Sequence, residues 1–116
     1  MEQARKTKLE AGGVNVSSAL ERFMGNEAMA ERYWQKFLDE KSYATLRTAI
    51  AANDRETAAM AAHTLKSVCG TLGCEAMQEL VIRQERHIRA GEWEEAVGMM
   101  PEISLAYERI CGVLGG

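Results

Sequence analysis

One stretch decides the fold of this 116-residue chain: Ala61-Ala62-His63-Thr64-Leu65-Lys66-Ser67-Val68-Cys69-Gly70-Thr71-Leu72-Gly73. Around it, apolar residues recur at steps of three and four, the spacing of one face of an α-helix: Ala58, Ala61, Leu65, Val68 and Leu72. Gly73 is predicted to end the helix, because glycine readily adopts the left-handed conformation common at that position. We therefore predict a long helix from about Arg55 to Leu72.

Similar periodicity predicts helices on both sides of this one, and no segment alternates with the two-residue period of a strand. A short helix begins between residues 14 and 18 and ends near Gly25, and longer ones cover about 27–39, 43–52, 75–89 and 92–114. Pro101 lacks a backbone donor and should kink or restart the last helix. We predict an all-α fold, because helices joined by short connections pack as an antiparallel up-down bundle.

Helix starts are predicted from side chains that can bond the free backbone N–H groups of a first turn. Three such signals occur: Ser18-x-x-Glu21, Asn26, and the pair Asn53 and Asp54, either of which could cap a helix, with Asn53-x-x-Glu56 as a capping box. In the helix over residues 27–39, the spacing predicts that the inward-facing side chains are Met29, Tyr33 and Phe37, with Trp34 and Leu38 on the flank.

The chain is predicted to form one domain, since its length supplies about one hydrophobic core. Residues 1–13 are polar and end in two glycines, so we predict a flexible tail or a linker remnant there. The folded domain is then predicted to span residues 14–116.

Composition and charge narrow the class of protein. The chain is 47% hydrophobic and 27% charged, with no apolar run that could span a bilayer and no basic-then-apolar leader, so we expect a cytoplasmic protein without membrane insertion. Its net charge of −3 and the lack of a basic stripe argue against a nucleic-acid partner. Reduced thiols are expected at Cys69, Cys74 and Cys111, and no four-ligand set predicts a metal site.

The most informative side chain is that of His63. It precedes the inward-facing Leu65 by two residues, about 200° around the helix, so its ring is predicted to face solvent. Four neighbours on that face are small or uncharged and could admit a partner protein: Ala59, Met60, Ser67 and Gly70. Lys66 could pair with phosphate oxygens near a nucleophilic imidazole. Two plainer interpretations stay open: His63 is an ordinary surface histidine, or the small residues serve helix packing.

This stretch resembles the signature of the histidine phosphotransfer (HPt) domain family of bacterial two-component phosphorelays. That signature is A-H-x-L-K-G followed by five residues and a glycine, and the chain matches it at Ala62, His63, Leu65, Lys66 and Gly73. It departs at Ser67, where the family commonly has glycine. The likeness extends over about residues 14–114, because three further segments also resemble the family: residues 20–26, its entry segment; residues 51–54, its acidic turn before the histidine helix; and residues 85–92, the end of its fifth helix.

The resemblance implies a four-helix bundle, formed by the second, fourth, fifth and last predicted helices. It also implies that His63 is the phosphoacceptor and that Lys66 stabilises the phosphoryl group. A glutamine or glutamate on the neighbouring helix would hydrogen-bond the imidazole and favour one tautomer. Glu85 is the matching position, and Gln84 takes its place if the register slips.

The function implied is that of a phosphorelay intermediate. His63 would accept a phosphoryl group from a receiver aspartate or a kinase and pass it to another receiver. The chain lacks a Gly-rich phosphate loop, so the resemblance implies a carrier without kinase activity. Its partners would be response-regulator receivers and a sensor or hybrid histidine kinase, with Mg²⁺ bound by the receiver and the chain itself monomeric.

Two alternatives remain at this point. The bundle could dock a signalling partner without carrying phosphate, in which case His63→Gln would leave partner function intact. It could also be an anchoring or dimerising bundle, which a concentration-dependent mass would reveal. His87, the only other histidine, is predicted to lie at the surface near a helix end.

Overall fold

The computed structural model describes residues 1–115, and these contain eight helices and no strand. The helices are α1 (Gln3–Ala11), α2 (Val16–Arg22), α3 (Glu27–Phe37), α4 (Ser42–Ala51), α5 (Arg55–Leu72), α6 (Glu75–Arg89), α7 (Trp93–Gly98) and α8 (Met100–Gly115). The predicted all-α class is confirmed. Gly116, the last residue of the predicted domain, lies outside the described residues. No helix in residues 1–115 is both long and apolar enough to cross a bilayer.

The long helix α5 lies at the centre of the bundle. α3 and α4 follow each other along one side of it and run in the opposite direction: Trp34 of α3 donates from Nε1 to the carbonyl of Leu72 at 3.0 Å, and a short turn joins α4 to the start of α5. α6 returns along the other side, and α8 packs against both α6 and α3. The bundle therefore includes α4 as well as the helices that the resemblance implied.

Aromatic stacking joins α8 to the first turn of α4. The rings of Tyr43 and Tyr107 are stacked with centroids 3.7 Å apart, and the Tyr43 hydroxyl donates to Ser104 Oγ at 2.8 Å. At the other end of α8, Gln35 donates from Nε2 to the carbonyl of Leu114 at 2.9 Å. These two contacts show that α8 runs antiparallel to α3.

The caps of α2 and α3 show where the sequence signals succeed and fail. Asn26 caps α3 as predicted, accepting from the backbone N–H of Met29 at 3.0 Å. The capping box predicted at Ser18 is wrong, because Asn15 caps α2 by accepting from the backbone N–H of Ser18 at 3.0 Å. The helix begins at Val16, which lies within the predicted range of 14–18 but before the start that a cap at Ser18 would give.

The cap of α5 is the second of the two residues that the sequence offered, so the capping box at Asn53 is wrong and the cap at Asp54 is confirmed. Asp54, and not Asn53, accepts from the backbone N–H of Thr57 at 3.1 Å. Asn53 has a positive φ of 56° and accepts instead from Nε1 of Trp93 at 3.0 Å. Asparagine tolerates this left-handed conformation better than most residues. The side chain predicted to cap a helix thus ties the α4–α5 turn to the start of α7.

Two predictions about helix ends are confirmed. Gly73 ends α5 with a φ of +79°, and Pro101 lies in the first turn of α8, just after the break that separates α7 from α8. A proline is tolerated there because the N–H groups of a first turn have no partner within the helix. The predicted last helix is therefore two helices.

The inward face of α3 is rotated from the predicted one. The buried side chains are those of Ala30, Trp34 and Phe37, whereas Met29 and Tyr33 are 39% and 40% exposed. Trp34 has the largest side chain in this segment, and its indole N–H donates to the buried carbonyl of Leu72. Turning α3 by one position buries that indole, which explains why Met29 and Tyr33 face outward.

The prediction of a flexible tail over residues 1–13 is wrong for most of its length. Residues 3–11 form α1, whose Leu9 is fully buried. Arg5 donates to the carbonyl of Val113 at 3.1 Å and to Glu31 Oε2 at 3.0 Å, so α1 supplies a partner for a carbonyl of the last turn of α8. The polar composition hid this helix, because a single buried leucine leaves no periodic pattern to detect.

We expect Leu9→Ala to lower the free energy of unfolding by about 2 to 5 kcal/mol, the usual cost of removing a fully buried leucine side chain. Leu105→Ala is the matched control, because that leucine is 49% exposed; its effect should stay below about 1 kcal/mol. Urea unfolding followed by circular dichroism measures both. Equal effects of the two substitutions would show that α1 does not stabilise the domain.

Candidate functional site

The side chain of His63 is 60% exposed, whereas Leu65 on the same helix is fully buried. The sequence spacing predicted this opposition. An exposed imidazole on a long, well-packed helix is both accessible to a partner and fixed in position. Burial therefore does not prevent this imidazole from reacting with a partner.

Glu85 of α6 lies directly beside the imidazole, with its Oε2 3.1 Å from Nδ1 of His63. Its own side chain is only 6% exposed. Gln84, the predicted substitute if the register slips, is fully buried and donates from Nε2 to the carbonyl of Ala96 at 3.0 Å. The two neighbours on α6 thus face different parts of the molecule, and Glu85 is the one next to His63.

Two cationic side chains also bond the Glu85 carboxylate. Lys66 Nζ lies 2.7 Å from Oε1, and Arg89 Nε lies 2.8 Å from Oε2. Burial alone would raise the pKa of Glu85, but the hydrogen bonds from Lys66, Arg89 and His63 outweigh it and lower the pKa below its ordinary value of 4.5. Glu85 is therefore ionised at neutral pH.

Lys66 is held in place by this carboxylate and is 30% exposed, so its ammonium lies at a fixed position and is still accessible from solvent. Arg89 was missed in the sequence. The available signal was its spacing from Glu85, since a carboxylate and a cation four residues apart on a helix can pair.

An ionised carboxylate determines which imidazole nitrogen carries the proton. Glu85 Oε2 can only accept, so Nδ1 of a neutral His63 must be the donor across the 3.1 Å contact. The lone pair then lies on Nε2, on the far side of the ring. A histidine held in this way presents Nε2 to solvent as a nucleophile.

A shallow pocket of about 350 Å³ opens on the α6 side of His63. It is lined by His63, Lys66, Ile82, Glu85, Arg86 and Arg89. Three of these side chains are permanent or near-permanent cations and one is an anion. The pocket is therefore suited to an anionic group attached to, or approaching, the imidazole.

Two residues of the predicted docking face are buried, and the prediction is wrong for them. Ala59 is 8% exposed and Gly70 is buried, whereas Met60 is 65% exposed and Ser67 is exposed. A Cβ at Gly70 would overlap the side-chain amide of Gln78 on α6. On this side of His63 the small residues admit the neighbouring helix, which is the packing role that the sequence left open.

The exposed surface of α5 lies on the other side of His63, toward α3 and α4. We call it the hydroxyl face, and it consists of Met60, Thr64, Ser67 and Thr71. Each hydroxyl donates to the backbone carbonyl four residues earlier, at 3.1 to 3.3 Å. Because the hydroxyls are occupied within the helix and none of these side chains is charged, a partner can cover the face without stripping water from an ion.

The cysteines carry no reactive thiol at this site. Cys69 and Cys74 are buried, and burial raises the pKa of both thiols, to about 12 for Cys74. Neither is a thiolate at neutral pH. Within residues 1–115 no group of three or more His, Cys, Asp and Glu side chains is arranged to hold a metal ion.

A family model described as the Hpt domain matches residues 32–112, which is more than half of the chain. The matched span contains α4 to α7 and parts of α3 and α8, and it includes His63, Lys66 and Glu85. No curated protein and no solved structure gives a significant match.

We expect the carboxylate of Glu85 to make stability depend on pH. Its pKa is lowered by folding, so its contribution is present above about pH 4.5 and is lost as the pH falls through the lower folded value. Glu85→Gln should lower the free energy of unfolding at pH 7 by about 1 to 3 kcal/mol. That difference from the native protein should shrink on acidification.

Urea unfolding at a series of pH values measures this difference. Glu79→Gln is the control, because Glu79 is exposed on the same helix. A difference between native protein and Glu85→Gln that stays constant down to pH 3 would show that the carboxylate does not stabilise the fold through its charge.

Proposed function

This chain belongs to the Hpt domain family, and on that premise we propose that it is a phosphorelay intermediate that carries a phosphoryl group on His63. The group would come from a receiver aspartate, or from a sensor or hybrid histidine kinase, and would pass to a second receiver. The observation that carries the proposal is the exposed imidazole, whose Nδ1 is bonded to Glu85 and whose Nε2 has no hydrogen-bond partner within residues 1–115.

The transfer step balances without an added acid or base. The Nε2 lone pair attacks the phosphorus of an aspartyl phosphate, the N–P bond forms and the P–O bond to aspartate breaks. The aspartate leaves as a carboxylate, and the ring becomes a cation that keeps its Nδ1 proton. The buried carboxylate of Glu85 lies where that positive charge appears and stabilises it. Transfer to the second receiver is the reverse reaction.

Lys66 supports the proposal as a second source of charge stabilisation. Its ammonium has three N–H donors and uses Glu85 Oε1 as one partner, so a second donor can reach a phosphoryl oxygen on Nε2. Mg²⁺, which neutralises charge in phosphoryl transfer, would be held by the receiver. The chain would then need only to position a nucleophile and neutralise charge.

We propose that the receiver docks over the hydroxyl face, as a one-to-one complex with a monomer of this chain. That face is exposed, uncharged and adjacent to His63, whereas the side of the ring toward α6 holds Glu85 and the shallow pocket lined by cations. Shallow grooves flank the face on the α3 side and the α4 side, with volumes of about 380 and 290 Å³. These grooves can receive side chains of the partner.

We expect His63→Gln to abolish phosphorylation, because glutamine has no nucleophilic ring nitrogen. The protein is incubated with phosphoramidate or with a phosphorylated receiver, and an acid-labile, base-stable signal is sought by phosphorus NMR. His87→Gln is the matched control and should keep the signal. If neither donor phosphorylates the native protein, the chain is a docking module that carries no phosphate.

We expect Ser67→Arg to slow transfer from a phosphorylated receiver by at least about tenfold, since a long charged side chain in the interface costs more than about 1.4 kcal/mol. Phosphorylation by phosphoramidate should be unchanged, because that small donor needs no docking. Glu79→Arg, on the exposed side of α6, is the control. Normal transfer by Ser67→Arg would place the receiver elsewhere.

A further inference from the structure

We propose that the Glu85 carboxylate keeps the Nδ1 proton on phosphorylated His63, and that this proton keeps the phosphoryl group transferable. The proposal rests on the phosphorylation of Nε2 proposed above. It makes Glu85 a positioning residue that acts through the imidazole and has a second role besides orienting the ring. Its charge, and not only its hydrogen bond, is then essential.

The Nδ1 proton matters because of what leaves when the phosphoryl group moves on. The N–P bond breaks and its electron pair returns to Nε2, while the phosphorus bonds to an aspartate oxygen or to water. With Nδ1 protonated, the leaving group is a neutral imidazole. Without that proton it would be an imidazolate anion, which is a much poorer leaving group. In hydrolysis the attacking water releases its proton to the solvent.

The charges around the ring show why a carboxylate is needed to hold this proton. The cations that line the pocket come from both helices: Lys66 from α5, and Arg86 and Arg89 from α6. All three oppose a positive charge on the imidazole. Glu85 is the only anion among the pocket-lining residues, and the phosphoryl group itself adds negative charge on the Nε2 side. Without Glu85, three cations would favour loss of the ring proton.

The carboxylate is fixed well enough to act on this proton continuously. Its side chain is 6% exposed, Arg89 bonds the same oxygen that faces Nδ1, and Lys66 bonds the other. If Lys66 turns toward the phosphoryl group, Arg89 still holds Oε2 in place. The screening by water that weakens exposed ion pairs is therefore reduced here.

A second histidine–glutamate pair in this chain can be compared with the His63–Glu85 pair. His87 Nδ1 lies 3.1 Å from Glu92 Oε1, the same separation as in the His63–Glu85 pair, but the Glu92 side chain is 53% exposed. Water screens that pair, and no arginine or lysine bonds Glu92 in residues 1–115. Glu92→Gln therefore removes a similar contact without touching the site of His63.

The experiment uses the full chain phosphorylated with phosphoramidate, then freed of reagent. Phosphorus NMR across a pH series gives the midpoint at which the phosphohistidine loses its ring proton, and the same samples give the rate of phosphate loss. In Glu85→Gln the midpoint should fall by at least about one pH unit. At pH values above the native midpoint, phosphate loss should slow by about tenfold for a shift of one pH unit, following the protonated fraction.

Two further variants test the charge argument. Arg89→Gln removes an exposed cation, so its midpoint should rise, opposite in direction to that of Glu85→Gln. Because the Arg89 side chain is 57% exposed, this substitution should leave the fold intact. Glu92→Gln should leave the midpoint of the His63 signal unchanged. Circular dichroism confirms that each variant is folded.

The outcomes separate this inference from the proposed function. If phosphohistidine forms at His63 and Glu85→Gln has the native midpoint, the inference is overturned and the carrier function stands. If no phosphohistidine forms at His63 with phosphoramidate or with a phosphorylated receiver, the carrier function is overturned and the inference falls with it. A lower midpoint in Glu85→Gln together with a higher one in Arg89→Gln supports both.

Discussion

An ionised carboxylate buried between two helices destabilises a protein unless its oxygens are bonded. In this chain Glu85 meets that requirement with Lys66 and His63 from α5 and Arg89 from its own helix. The register of α6 against α5 is therefore fixed at the level of the histidine by charge as well as by apolar packing. The same bonds fix the imidazole tautomer, so one interaction connects the stability of the helix pair with its chemistry.

Close approach of α5 and α6 is what makes this interaction possible. Ala59 and Gly70 are small, and the side-chain amide of Gln78 on α6 occupies the space where a Cβ at Gly70 would lie. On the opposite side of His63, α5 carries hydroxyls bonded to its own backbone and remains open. One helix thus has three sectors around its circumference: an apolar core face, a sector of small residues against α6, and an exposed sector beside the nucleophile.

Local patterns in the sequence were sufficient for the central helices and for the orientation of His63. The predicted limits of α5 and α6 match the structure, because glycines and caps end helices through contacts within a few residues. The sequence did not reveal which small residues face α6, since that depends on where a helix far along the chain packs. It also missed α1, where a single leucine provides the buried surface, and Arg89, whose four-residue spacing from Glu85 was present in the sequence but is common among surface residues that do not pair.

The hydrogen bond from Arg5 of α1 to the Val113 carbonyl near the end of α8 has a consequence for how this domain can be joined to other polypeptides. Arg5 reaches Val113, so both ends of the described chain emerge at the same end of the bundle. Leu72, at that end of α5, is nine residues from His63, or about 13 Å along the helix axis. A polypeptide fused at either terminus would leave the imidazole accessible. The adjacent termini would also allow a circular permutation, in which a short linker joins the present ends and the chain is opened at a surface turn.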